Sequence, residues 1–167
     1  MSENKTKHYD WQKGTQADAL RFRKPSPNLV AINDYLCKRW GGSNVGIFVK
    51  RPIRGGVSPS SHSFGAALDW RYGDTVGNRH KVETEVLPWL IENSHELGIQ
   101  AIHDYYGCRV WKSVRVPASQ RGWRTQTAGS QGGAMGAAWA KWLHVETTKQ
   151  DWKDGRRVDD RLSLPTL

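Results

Sequence analysis

The chain has 167 residues, 37% of them hydrophobic and 9 of them Trp, which is enough for one domain with a buried core. Its formal net charge of +9 favours an anionic partner, such as nucleic acid, an anionic cell-wall polymer or a membrane face, with a generally solvated basic surface as the alternative. No stretch approaches the roughly 20 apolar residues of a membrane span, and no apolar signal segment opens the chain, so we expect a protein made in the cytoplasm without a span.

The two cysteines give no sign of a metal or redox motif. Cys37 and Cys108 do not form a Cys-x-x-Cys pair, which argues against a cysteine zinc site. They either form a disulfide or remain two buried free thiols, and the sequence leaves both states open.

The first quarter of the chain predicts an arm followed by a helix. Residues 1–24 are polar and charged, and we interpret them as an N-terminal arm with Trp11 and Phe22 as anchors. A Ser-Pro pair then has the pattern of an N-cap followed by the first helical residue. Apolar residues at helical spacing and a terminal Gly-Gly pair predict a helix over residues 27–40.

The middle of the chain predicts two strands and a second helix. The apolar run at residues 46–50 predicts a strand, and residues 66–72 predict another, followed by a loop through residue 80. Residues 82–97 predict a helix that either begins beside Pro88 or is kinked there, because proline cannot donate a backbone hydrogen bond.

The last third predicts a hairpin, a long loop and a strand. Residues 99–105 and 108–112 predict the two strands of a hairpin. The polar residues 113–133 predict a long loop, residues 134–141 a short helix, and residues 142–147 a strand.

These elements predict the fold class. Helices and hairpin strands follow one another without a regular βαβ alternation. We therefore expect an α+β fold, with a small, mostly antiparallel sheet and flanking helices. Residues 25–167 are predicted to form a single domain behind the arm of residues 1–24.

Three distant polar residues form a candidate zinc site. Asp69 lies in an apolar strand, where a carboxylate is costly unless it is paired or holds a metal. His62 ends a turn-rich loop, and His144 lies on an apolar strand with Glu146 on the same face. Two imidazoles and one carboxylate are a ligand set that zinc uses when it keeps a fourth position for water. The alternative to a zinc site is that His62 is a loop histidine with its hydrogen bonds satisfied and that Asp69 pairs with an arginine.

At these residues the sequence resembles the zinc D-Ala-D-Ala carboxypeptidases and L-alanyl-D-glutamate endopeptidases, whose fold the hedgehog signalling domain shares. The pattern S-x-H-x-x-G-x-A-x-D occupies residues 60–69, and a strand with H-x-E occupies residues 142–147. The resemblance extends over residues 45–147. It implies a hedgehog-like fold and peptidoglycan stem peptides as the substrate class. It also implies a Zn²⁺ ion bound by His62, Asp69 and His144.

The sequence departs from this family at the general base. The family carries an acidic residue three positions before the last histidine ligand, and here that residue is Lys141, a poor base unless strongly desolvated. Glu146 is the first replacement, with support of the ligand His144 as its alternative role. Further candidates are His103 and Asp104, which could equally be a surface pair on the hairpin.

The family also carries an arginine on an early strand that polarises the substrate. Arg51 and Arg54 lie in the corresponding region, and we choose Arg54, although the segment before His62 is shorter than usual.

Three functions follow from these observations. The first is a zinc peptidase of the bacterial cell wall, either a bacteriophage lysin or a tail-associated protein that contacts other virion proteins. The second is a catalytically inactive zinc-binding domain with a structural role in a phage tail, which Lys141 favours. The third is a basic nucleic-acid-binding protein, supported only by the charge and by Trp123 between two nearby arginines. No nucleic-acid-binding signature is visible in the sequence, which disfavours the third.

Overall fold

The computed structural model describes residues 7–73, 76–153, 155 and 158–162. Within them, six strands form one sheet in the order β1-β2-β6-β3-β4-β5, and every neighbouring pair is antiparallel. The strands are β1 (Ser43–Gly46), β2 (Ala67–Arg71), β3 (Ile99–Asp104), β4 (Arg109–Lys112), β5 (Gly122–Thr125) and β6 (Trp142–Thr147). The predicted α+β class with an antiparallel sheet is confirmed.

The helices lie before, between and after the strands. The α-helical segments are α1 (Gln16–Arg21), α2 (Pro27–Trp40), α3 (Val76–Lys81), α4 (Leu87–Glu92) and α5 (Val158–Leu162). Helix α2 has the predicted bounds: the side chain of Ser26 accepts a hydrogen bond from the Leu29 amide, and Gly41 follows the last turn with a φ of 77°. None of the described helices has the length and apolarity that crossing a bilayer requires.

The helix predicted over residues 82–97 begins earlier and ends earlier. Helix α3 continues through a π-helical turn, Val82–Val86, into α4, which ends at Glu92. The amide of Leu87 bonds the carbonyl of Val82, five residues back, and this wider turn accommodates Pro88, which has no amide hydrogen to donate. The predicted loop through residue 80 was therefore wrong from residue 76 onward. Its residues form the start of the helix, where His80 is exposed and Asn78 and Arg79 are half-buried.

Three other predictions were wrong in position or type. The strand predicted over residues 46–50 lies earlier in the chain, as β1, and ends at Gly46. After Gly46 the chain bends inward and buries Ile47. The loop predicted over residues 113–133 contains β5, whose Trp123 pairs with Trp111 of β4. The helix predicted over residues 134–141 is a series of turns, since positive-φ glycines precede and interrupt it.

The two faces of the sheet differ. Leu68, Ile102 and Val145 are fully buried and pack with the apolar residues of α2 and of the helix from α3 to α4. Their strand neighbours point to the opposite face, because side chains alternate along a strand. That second face carries Asp69, His103 and His144.

The N-terminal segment packs against the rest of the fold. Trp11 and Phe22 are 2% and 1% exposed and pack with Phe64 and Trp152, and the Trp11 indole donates a hydrogen bond to the Thr147 carbonyl. Residues 1–6 lie outside the described residues. Both cysteines are free, half-buried thiols.

Candidate metal centre

The strand register aligns the polar residues of the second face. Asp69 on β2 lies directly opposite His144 on β6, and His144 lies directly opposite His103 on β3. Directly opposed residues of antiparallel strands point to the same side of the sheet. The pairing of three strands therefore gathers these side chains into one row.

His62 reaches this row from a short 3₁₀ helix, Ser61–Phe64. The hydroxyl of Ser60 caps its start by accepting a hydrogen bond from the His62 amide. Gly65 ends the helix with a φ of 61°, and a Cβ at that position would lie 1.9 Å from the carbonyl oxygen of Lys24. Only glycine fits both constraints, so the Gly65 of the sequence motif is what turns the chain from His62 into β2.

Three donor atoms converge at one point. His62 Nε2 lies 3.2 Å from His144 Nδ1 and 3.2 Å from Asp69 Oδ1, and His144 Nδ1 lies 3.0 Å from the same oxygen. A tetrahedral zinc ion with ligand bonds of 2.0–2.1 Å separates neighbouring ligand atoms by about 3.3 Å. The three atoms therefore form nearly one face of such a tetrahedron, and together they could hold a metal ion.

The far nitrogens of both imidazoles have acceptors. His62 Nδ1 lies 3.2 Å from the carbonyl oxygen of Ile47, and His144 Nε2 lies 3.0 Å from Oε1 of Glu146. An N–H directed at each acceptor leaves the lone pairs on His62 Nε2 and His144 Nδ1, the two nitrogens that face each other. Metal-ligating histidines in proteins are held by this kind of contact.

The alternative partner for Asp69, an arginine, is absent among the described residues. Asp69 is 9% exposed, and its ion pairs are with His62 and His144. Arg79 and Arg109 do pair with a buried carboxylate, but it is that of Asp104.

The pKa shifts follow from this packing. Burial disfavours the charged carboxylate of Asp69, but hydrogen bonds from His144 and His62 outweigh it and hold its pKa well below the usual range. Burial likewise opposes protonation of His144, whereas Asp69 and Glu146 raise its pKa to about 9. The pKa of Glu146 is low because the contact with His144 overcomes its burial. Two carboxylates thus favour positive charge at this point, and a proton on His144 and a bound metal ion would compete for the same Nδ1 lone pair.

Gln100, which the sequence analysis did not single out, supports Glu146. The register between β3 and β6 shifts by one residue at Gln100, and such a bulge redirects a side chain. The Gln100 amide donates to Oε2 of Glu146 at 3.2 Å and exchanges two hydrogen bonds with the backbone of Tyr9. A polar residue inside an apolar strand was the signal that could have identified it.

A cleft of about 420 Å³ lies beside the three candidate ligands, and His144 is the ligand that lines it. Arg51 and Arg54 line it, and the guanidinium of Arg54 lies 5.6 Å from the ring centroid of Trp142. The N-terminal segment contributes a second wall, at residues 8–12, which the sequence did not predict. Lys141, three positions before His144, does not line the described cleft.

The other two candidates for the base differ in setting. Asp104 is fully buried and paired with Arg79 and Arg109, so the alternative of a surface position does not hold for Asp104. The ring of His103 lines the cleft, with its centroid 4.6 Å from that of His144, and its buried Nδ1 has no hydrogen-bond partner among the described residues. Burial and the neighbouring His144 lower the pKa of His103 to about 4. His103, His144 and Glu146 form a second, overlapping group that could hold a metal ion.

Comparison of the chain with protein-family models, with curated proteins and with solved structures finds no match. The evidence for a metal centre is therefore the geometry of the three converging side chains.

Proposed function

We propose that the chain is a zinc-dependent hydrolase that cleaves peptide bonds in peptidoglycan stem peptides. The observation that supports this most strongly is the convergence of His62 Nε2, Asp69 Oδ1 and His144 Nδ1 to mutual distances of 3.0–3.2 Å, beside a cleft that His144 lines. One carboxylate and two imidazoles match the zinc sites of hydrolases, which leave a coordination position open to the reactants. The resemblance to zinc carboxypeptidases and endopeptidases supports the choice of substrate.

The ligands fit zinc better than a harder ion. Mg²⁺ and Ca²⁺ prefer six or more oxygen ligands, whereas this centre offers two nitrogens and one carboxylate. Zinc held here would supply Lewis acidity to a water molecule and to the scissile carbonyl. The side chains around it would bind, orient and exchange protons with the substrate.

Arg54 is the residue proposed to bind the substrate carbonyl. It lines the cleft and is exposed, so its guanidinium can reach a bound peptide. A cation aimed at the oxygen that gains negative charge in the transition state lowers the barrier to peptide hydrolysis. The contact with Trp142 would limit the directions in which Arg54 can extend.

The proton must be transferred by a group other than Lys141. Both oxygens of Glu146 are already bonded, to His144 and to Gln100, which favours its alternative role as support for a ligand. His103 lines the cleft and its ring centroid lies 4.6 Å from that of His144, so its imidazole is placed to exchange a proton with a substrate in the cleft. We assign proton transfer to His103 and orientation of His144 to Glu146.

A catalytically inactive zinc domain, used structurally in a phage tail, is the second candidate. Lys141 occupies the position at which the resembled family has an acidic residue, and it does not line the cleft. Both observations favour this function. The two candidate functions share the metal centre, but only the hydrolase cleaves a substrate.

Incubating the zinc-loaded protein with purified peptidoglycan and with synthetic stem peptides tests the proposal. Mass spectrometry should detect new amino termini, and H144A or a chelator should abolish them, while H80A, at an exposed histidine, should not. Failure of the folded, metal-loaded protein to cut any stem peptide between about pH 5 and pH 9 would overturn the hydrolase proposal and favour the structural role. Cleavage would place the action of the protein at the bacterial wall, as a lysin or a virion component.

A further inference from the structure

The cleft continues away from the metal centre across the sheet. The row that contains His144 and His103 passes through Val110 on β4 to Arg124 on β5. Neighbouring strands are 4.7–4.9 Å apart, so the backbone of Arg124 lies about 14 Å from that of His144.

A second row runs beside the first. It passes from Glu146 through Ala101 to Lys112 on β4. By the same spacing, the backbone of Lys112 lies about 10 Å from that of Glu146. Lys112 and Arg124 both line the cleft. Two cations therefore lie at the end of the cleft that is farther from the zinc ligands.

These two cations have no carboxylate partner within the described part of the chain. Two other arginines on or near the same strands are neutralised, since Arg79 and Arg109 share the two carboxylates of Glu83 and Asp104. The acidic side chains that line the cleft are Asp10 and Glu146. Glu146 is bonded to His144 and Gln100, and Asp10 pairs with Lys13. Cations that line a cleft without a carboxylate partner attract an anionic ligand.

We propose that Lys112 and Arg124 form an anion subsite that binds a carboxylate of the peptide substrate. The proposal rests on the hydrolase function, because that function supplies the peptide. An extended peptide advances about 3.3 Å per residue, so the bound carboxylate belongs to a residue about three or four positions from the cleaved bond. The subsite selects acidic stem peptides over peptides whose carboxylates are amidated.

Equilibrium binding tests the subsite independently of cleavage. Isothermal titration of the full chain, with and without zinc, compares an acidic stem pentapeptide with the same peptide amidated at its side-chain and α-carboxylates. The wild type should bind the acidic peptide about tenfold more tightly, as two partly screened charge pairs allow. The double variant K112Q/R124Q should bind both peptides equally. The control R23Q/K81Q removes one Arg and one Lys from exposed positions that do not line the cleft, and it should keep the preference.

The outcomes separate the two proposals. Equal binding of both peptides by the wild type, or an unchanged preference in K112Q/R124Q, overturns the subsite even if both peptides are cut. A preference for the acidic peptide that K112Q/R124Q removes supports the subsite even if neither peptide is cut, in which case only the hydrolase proposal fails. Binding of a random oligonucleotide through Lys112 and Arg124, with no preference among peptides, assigns these cations to nucleic acid and overturns the subsite.

Discussion

The carboxylate of Glu146 orients the ring of His144, with Oε1 3.0 Å from Nε2. Its other oxygen accepts a hydrogen bond from Gln100, so Glu146 is itself held on both sides. The contacts from Gln100 to Glu146 and from Glu146 to His144 fix which nitrogen of His144 faces His62 and Asp69. A ligand oriented in advance binds its metal more tightly, because less freedom is lost on binding.

The first prediction concerns this support. The variant E146Q keeps a hydrogen-bond acceptor but loses the charge, and we expect the zinc affinity to fall about tenfold to a hundredfold. Competition with a chromophoric chelator measures this change, with E92Q, at an exposed carboxylate, as the control. Unchanged zinc affinity together with lost hydrolysis would instead make Glu146 the general base.

The second prediction concerns proton transfer. We expect H103Q to lower kcat at least about a hundredfold, the usual contribution of a general acid or base, while the zinc affinity changes less than about threefold. The pH dependence of kcat should also lose the ionisation assigned to His103. The exposed His80 supplies the matched control, H80Q. Wild-type turnover by H103Q would remove His103 from the mechanism.

The third prediction concerns the buried carboxylate of Asp104. Burial opposes its ionisation, but Arg79 and Arg109 outweigh burial and lower its pKa. A lowered folded-state pKa stabilises the protein above the unfolded value of about 3.9, and the stabilisation is lost as the pH falls through the folded value. We expect D104N to cost about 3 kcal/mol at neutral pH and progressively less below about pH 4.

Urea unfolding at several pH values measures this difference, with D34N, at an exposed aspartate, as the control. A stability difference between the wild type and D104N that stays constant from neutral pH to about pH 2 would show that the ion pairs are not its cause.

The fourth prediction concerns the N-terminal segment. Trp11 is 2% exposed and its indole is hydrogen bonded, so W11A should lower the free energy of unfolding by about 3 to 5 kcal/mol. Trp139 is 58% exposed, so W139A should change stability by less than about 0.5 kcal/mol. Calorimetry would contradict this account if the two substitutions had equal effects.

The sequence predicts the parts of this protein that depend on local pattern. The Ser-Pro start and the Gly-Gly end delimit α2, and the run at residues 142–147 matches β6. Strand alternation alone places His144 and Glu146 on one face, as observed. Each of these inferences uses only residues close together in the chain.

The sequence did not predict the features that depend on packing between residues far apart in the chain. The strand β5 is short and polar, and it exists because Trp123 pairs with Trp111 across the sheet. The partner of the Nδ1 atom of His62 is the backbone carbonyl of Ile47, which no side-chain pattern can indicate. Gln100 reaches Glu146 through a bulge, and bulges depend on the register of the partner strand.

The most direct test of the account is the metal content and affinity of the purified chain of 167 residues. Elemental analysis after dialysis against zinc should give about one ion per chain, and H62A, D69N and H144A should each reduce this to near zero while remaining folded by circular dichroism. H80A should retain the ion. A folded wild type that binds no zinc, or a D69N variant that binds it as tightly as the wild type, would contradict the central claim.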